Sequence, residues 1–179
     1  FEEGAIGDWF EDARAAITRL TEGPQVVVGS SMGGWLALLL ARECPERVAG
    51  LVTIAAAPDF TEDGYWASFD DAARKALETQ GYVDVPSDYG APYRITRRLI
   101  EEGRQRLVLR APLPLPVPVR MLQGSADTAV PHDWALRLFD HATGPDIRLT
   151  LVKGADHRFS EPAELRLIEA AVAEVLAAL

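Results

Sequence analysis

The chain has 179 residues, 48% of them hydrophobic, which is enough for one domain with a substantial core and too little for two. A formal net charge of −9 repels phosphate backbones and anionic lipid, so nucleic acid and membrane surfaces are excluded in favour of small or neutral partners. The one cysteine, Cys44, excludes an internal disulfide and a thiolate metal cage and suits a reducing compartment, with the cytoplasm the expected location.

No apolar run approaches the roughly eighteen residues of a membrane span. No basic-then-apolar leader opens the chain, which starts at Phe1 rather than Met. Ile6, Phe10, Ala13, Ile17 and Leu20 recur at intervals of three and four, predicting a helix with one buried face that ends near Thr21 to Pro24. Gln25 to Gly29 reads as a short buried strand, Gly34 to Glu43 as a helix stopped by Pro45, and Val48 to Ala56 as a second buried strand.

From Ala57 to about Pro118 the rhythm breaks. Ser68-Phe69-Asp70-Asp71 has the form of a capping box for a helix that Gly81 closes, and a further helical stretch is expected from Pro92 through Leu99. "APLPLPVPV" is too rich in proline for a helix or a central strand, so Ala111 to Val117 is read as an extended connector. Val119 to Gln123 then reads as a strand, Pro131 to His141 as a helix and Ile147 to Val152 as a strand. A last helix covers Glu161 to Leu179, with Leu165, Ile168, Val172, Val175 and Leu176 inward. This alternation predicts an α/β fold, a parallel sheet with helices on both faces. Residues 1–57 and 118–179 would form its two parts, and 58–117 a helical lid inserted between them.

Gly29-Ser30-Ser31-Met32-Gly33 fits G-x-S-x-G, and a strand before it and a helix after it are the context that this pattern requires. On so tight a turn the serine takes a strained backbone conformation, and glycines two residues away on either side are expected to leave room for strand and helix to approach. Ser31 Oγ would then stand at the carboxyl edge of the sheet, beside a helix N-terminus that favours developing negative charge. The rival reading is a Gly/Ser loop that merely turns a corner.

A serine hydroxyl needs a base, and the base needs a third group to fix its tautomer. His132 and His141 fall at the two ends of one helix, where capping or surface histidines are common, whereas His157 lies on a loop just past a strand and so at the same carboxyl edge. Asp127, in "QGSADTAVP", is the one carboxylate on the loop after the preceding strand. Asp59 and Asp63 are the runner-up acids, and Asp156 is too close to His157 on an extended loop to face it.

With these residues in place, the chain resembles the carboxyl-terminal part of an α/β-hydrolase over nearly its whole length. "GSSMGGWLALLLARECPERVAGLV", "QGSADTAVPHDWALRL" and "VKGADHRFS", with "GYVDVPSDYGAPYRITRRLIEEG" in the insertion, are similar to the ABHD10-type palmitoyl-protein thioesterases and their bacterial relatives. The resemblance implies a serine hydrolase acting on carboxylic esters or thioesters through Ser31 as nucleophile, Asp127 as acid and His157 as base, with no metal or organic cofactor. It also implies an opening block of strands carrying one oxyanion-hole donor. Nothing before Ile6 matches that block, so the chain is expected to be N-terminally truncated, with Met32 N–H the one donor left. Losing one such donor ordinarily costs roughly 10²- to 10³-fold in rate.

Substrate choice is expected in the insertion. Trp66, Phe69, Tyr82, Tyr89 and Tyr93 are candidates to line an acyl or aromatic pocket, or else form the lid's own small core. Arg94, Arg97, Arg98, Arg104, Arg106 and Arg110 would attract a carboxylated or phosphorylated leaving group, unless they only solvate helix faces. The binding set is thus Trp66, Tyr93, Arg94 and Arg97, and the partner a small acyl ester or thioester. The alternatives are a lactonase, perhydrolase or peptidase on the same scaffold, and an inactive, poorly folded fragment.

Overall fold

The computed structural model describes residues 2–86 and 91–179. In chain order it contains α1 (Ile6–Leu20), β1 (Gln25–Ser30), α2 (Met32–Glu43), a 3₁₀ turn (Pro45–Arg47), β2 (Val48–Ile54) and a π-helical segment (Phe60–Trp66). Next come α3 (Asp71–Gln80), β3 (Tyr82–Val85), β4 (Tyr93–Thr96), α4 (Arg97–Arg104), β5 (Leu113–Pro114) and β6 (Val119–Gly124). The chain ends with α5 (His132–His141), β7 (Ala142–Thr143), β8 (Ile147–Val152) and α6 (Pro162–Ala177). It divides into a larger unit, residues 12–58 and 108–179, and a smaller one, residues 1–11 and 59–107.

The larger unit is built on a parallel sheet in the order β1-β2-β6-β8. The registers pair Ser30 with Ile54, Ile54 with Leu122, and Gly124 with Val152, so the carboxyl ends of all four strands lie along one edge. Val52, Ile54 and Leu122 bury one face under Ala171 and Val175 of α6, together with Phe159 and Ala155. α6 turns Ala171 and Val175 inward with Ile168 and Val172 beside them, while Leu165 is 48% exposed and Leu176 also lies in solvent. The inward face is rotated by about one residue from the expected one because the helix opens on a capping box. Glu161 N donates to Glu164 Oε2 at 2.9 Å, and this draws Glu164 into the buried row.

The proline-rich connector alternates. Leu113 and Leu115 are fully buried and Pro112, Pro114 and Pro116 are exposed, so residues without an N–H take the outward positions. Leu113–Pro114 pairs with Ala142–Thr143 as a two-residue parallel bridge. Arg47 closes the C-terminal end of α1, donating from Nη2 to Ile17 O at 2.6 Å and Thr21 O at 3.0 Å. Leu20, expected inside, lies past the last packed turn and is 81% exposed.

In the smaller unit, two expectations are corrected. The cap of α3 is Asp70, whose carboxylate accepts from Ala73 N at 2.8 Å, while Ser68 Oγ donates back to Tyr65 O at 2.9 Å. A carboxylate suits the helix's positive end better than a hydroxyl already engaged. Gly81 closes the helix in the left-handed region, φ 86°, as expected. The helix expected from Pro92 starts only at Arg97. Tyr93–Thr96 is instead a strand antiparallel to Tyr82–Val85, with Ile95 buried, and Thr96 Oγ1 accepts from Leu99 N at 3.1 Å to cap α4. An aromatic and two β-branched residues among four favour a pleated pairing over a first helical turn. Within this unit Arg98 of α4 holds the first turn of α1 through Glu3 O at 2.6 Å and Asp8 at 2.7 Å.

Candidate active site

The turn from β1 into α2 is made at Ser31, which has φ 53° and ψ −120°. A non-glycine residue there costs on the order of 1–3 kcal/mol and persists only when its surroundings over-determine it. Here they do. Ser31 N donates to Ile54 O at 2.8 Å, and Ser31 O accepts from Gly34 N and Ala57 N, both at 3.0 Å. A β-carbon on Gly29 would overlap the Gly33 carbonyl, and one on Gly34 would press on Ala56, whereas one on Gly33 would meet nothing within 4 Å. The close approach expected of Gly29 and Gly33 therefore belongs to Gly29 and Gly34. The first turn of α2 has no acidic residue, so its positive end is left uncompensated beside Ser31, and Met32, its first residue, has no intrahelical acceptor for its N–H.

The loops after β6 and β8 are laced together. Ser125 N donates to Val152 O and Ala126 N to Ala155 O, both at 2.9 Å, and Gly154 N donates to Ser125 Oγ at 2.9 Å. This lacing sets Asp127 against His157. The Asp127 carboxylate is wholly buried: Oδ1 accepts from Ala129 N at 2.9 Å and Val130 N at 2.8 Å, and Oδ2 faces His157 Nδ1 at 2.9 Å. Oδ2 also accepts from Gln123 Nε2 at 3.0 Å, a partner that the sequence reading missed. Its only signal was a polar residue ending an apolar strand four positions before the acid.

His157, with 21% of its side chain exposed, turns Nε2 to Ser31 Oγ at 3.1 Å. Because Asp127 can only accept when ionised, Nδ1 carries the proton and Nε2 is the acceptor for the serine hydroxyl. Asp156 shapes the loop rather than facing the histidine, its Oδ1 accepting from Arg158 N at 2.9 Å and Phe159 N at 3.3 Å. Ser31, Asp127 and His157 thus form one hydrogen-bonded row within the larger unit. Such a row can move a proton from Oγ to Nε2 while holding the resulting imidazolium against a carboxylate.

The other sequence candidates lie elsewhere. His132 is exposed beside Asp133, and His141 Nε2 sits 2.7 Å from Ala111 O. Asp59 is fully buried at the start of the π-helical segment and, like Asp63, belongs to the smaller unit. That unit also holds the four residues expected to bind substrate. Trp66 is half-buried between the guanidinium groups of Arg104 at 4.5 Å and Arg74 at 5.1 Å. Arg94 forks onto Asp84 at 2.9 and 3.1 Å and lies over Tyr82, and Arg97 pairs with Glu101 at 3.4 Å. Tyr93 is 41% exposed, Phe69 stacks on Tyr65, and Tyr89 lies outside the described residues. Among the described residues no helix is long and apolar enough to cross a membrane.

Known proteins carry the same architecture. A crystal structure of an Agrobacterium vitis S4 protein described as a hydrolase is 39% identical, with a TM-score of 0.92 over 98% of this chain and 70% of its own. Mouse alpha/beta hydrolase domain-containing protein 10 is 34% identical, with a TM-score of 0.89 over the same shares. The bovine (Bos taurus) mitochondrial palmitoyl-protein thioesterase ABHD10 is 36% identical over 172 residues, 93% of this chain and 55% of its own length. The chain therefore spans about half the length of the curated relatives it matches. The model of the alpha/beta hydrolase family matches residues 2–169. With that match over nearly the whole chain, and a serine on the strained strand-to-helix turn of a parallel sheet, the chain belongs to the alpha/beta hydrolase family.

Proposed function

We propose that the chain carries the reacting centre of a serine hydrolase that cleaves carboxylic ester or thioester bonds. The observation that carries this reading is the unbroken row from Ser31 Oγ through His157, 3.1 Å from Nε2, to Asp127, 2.9 Å from Nδ1, starting on a residue held at φ 53°. His157 takes the Oγ proton as Ser31 attacks the acyl carbonyl, Asp127 stabilises the imidazolium, and Met32 N–H with the positive end of α2 receives charge on the carbonyl oxygen. The protonated His157 then hands its proton to the departing alcohol or thiol. Water, activated by the same histidine, releases the acid from the acyl-enzyme. A thioester is favoured by the name of the mammalian relatives, palmitoyl-protein thioesterase.

Selectivity is assigned in this reading to Trp66 and Tyr93 rather than to guanidinium capture, because Arg94 and Arg97 already face Asp84 and Glu101. Alanine at Trp66 or Tyr93 should then raise KM for long acyl chains and leave kcat for short ones nearly unchanged. A single buried thiol at Cys44 is compatible with the cytoplasm, and equally with the mitochondrial location in the relatives' name. Intact mass after treatment with a fluorophosphonate tests the chemistry. A single adduct on the chain, absent from Ser31→Ala, is the expected result. No adduct on a folded chain, or one that persists in Ser31→Ala, overturns the reading, and faster turnover of aminoacyl amides than of thioesters would make the enzyme a peptidase.

A further inference from the structure

Gln123, on β6, is fully buried, and three acceptors surround its amide nitrogen: Val130 O at 2.9 Å, Asp127 Oδ2 at 3.0 Å and Gly124 O at 3.3 Å. The nitrogen must face them, since an amide oxygen in its place would meet only lone pairs. This orientation leaves Oε1 buried with no donor among the described residues. A buried acceptor without a donor is destabilising, while the amide nitrogen serves the buried Val130 carbonyl and Asp127 Oδ2, so an apolar side chain of similar volume would relieve one penalty and create another. Among the contacts that the amide supplies is a donor to Asp127 Oδ2, the oxygen that also faces His157 Nδ1. Val130 closes the arrangement, its N–H on Oδ1 and its carbonyl on Gln123.

We propose that Gln123 is a positioning residue for His157: by sharing Asp127 Oδ2 with the imidazole, it aims the carboxylate and limits how strongly that oxygen draws the imidazole proton. The proposal rests on the serine-hydrolase reading above. Among the described residues Asp127 is the carboxylate hydrogen-bonded to His157, and the Asp156 carboxylate is turned to the backbone of its own loop. Gln123 is therefore the neutral group through which the strength of the Asp127 contact is set.

The test compares Gln123→Leu and Gln123→Glu with the unmodified chain by two readouts. One is the far-downfield proton resonance of His157 Nδ1–H, identified by its loss in His157→Ala; the other is the rate of fluorophosphonate labelling. In Gln123→Leu the resonance should move and broaden, and labelling should slow about tenfold, as for one hydrogen bond to a charge partly felt in the transition state. In Gln123→Glu a protonated carboxyl donates to Oδ2 as the amide does, and an ionised one repels it. The ratio of its labelling rate to that of the unmodified chain should therefore climb towards one as the pH falls. A merely structural role moves neither the resonance nor this ratio. A folded Gln123→Leu whose Nδ1–H resonance keeps its position and width overturns the proposal, whether or not Ser31 labels. An unlabelled parent chain whose resonance still shifts in Gln123→Leu supports it and overturns only the hydrolase reading.

Discussion

Asp127 divides its two oxygens between two tasks, one holding the loop through Ala129 and Val130 and the other facing His157. Replacing it with asparagine separates these tasks. In Asp127→Asn, Oδ1 can still accept the two backbone N–H groups, but an amide NH₂ would confront Gln123 Nε2 and force His157 into the wrong tautomer. Labelling of Ser31 should fall by roughly 10³- to 10⁴-fold, and the donor facing donor should lower stability by about 1–3 kcal/mol in denaturant unfolding. Labelling of Asp127→Asn at the parent rate would remove Asp127 as the acid. Ser31, Asp127 and His157 were readable one by one as candidates because each sits on its own loop at a strand end, and few residue types can do the task proposed for each. Gln123 was not readable, since nothing in a sequence says which atoms a buried amide will face.

At the scale of elements, the strand-to-helix turn separates its glycines sharply. Gly29→Ala drives a β-carbon into the Gly33 carbonyl and should cost about 1–3 kcal/mol or more. Gly33→Ala meets open space inside a helix and should be neutral or stabilising by up to about 1 kcal/mol. Thermal and denaturant unfolding of the two variants check this, and equal losses would refute the assigned contacts. The cap of α3 is a second contrast: Asp70→Ala should cost about 0.5–2 kcal/mol, and Ser68→Ala less than about 0.5 kcal/mol. Most elements were legible because hydrophobic period and punctuation by Gly and Pro agreed, as at β8, where the expected and observed ends coincide. Tyr93–Thr96 was misread because its pairing with Tyr82–Val85 is a non-local contact, and Pro92 alone is equally compatible with a helix start.

For the whole molecule, acid lability follows from ion pairs. Arg98, Arg94 and Arg120 donate hydrogen bonds to Asp8, Asp84 and Asp146 and hold these carboxyls below their ordinary value of 3.8. The folded state then binds these protons less tightly than the unfolded chain. Their contribution is fully present above the ordinary value and is lost as the pH falls through the lowered ones, below about pH 4. Melting temperature against pH should show that loss, and Asp146→Asn should flatten part of it. An acid slope unchanged in Asp146→Asn would remove the Arg120 pair from the account. Composition, the net charge of −9, the alternation of strands and helices and the Gly29-Ser30-Ser31-Met32-Gly33 turn were properties of the sequence alone, because periodicity and backbone sterics act over a few neighbouring residues. Only the tertiary structure could show that Asp127, the acid the sequence favoured, lies 2.9 Å from His157 Nδ1 while Asp156 turns to its own loop. It likewise decided that Gln123 stands behind that carboxylate and that Arg94, Arg97 and Arg104 spend their charge on Asp84, Glu101 and Glu62, since hydrogen bonds and ion pairs depend on ångström-scale placement that no local pattern encodes.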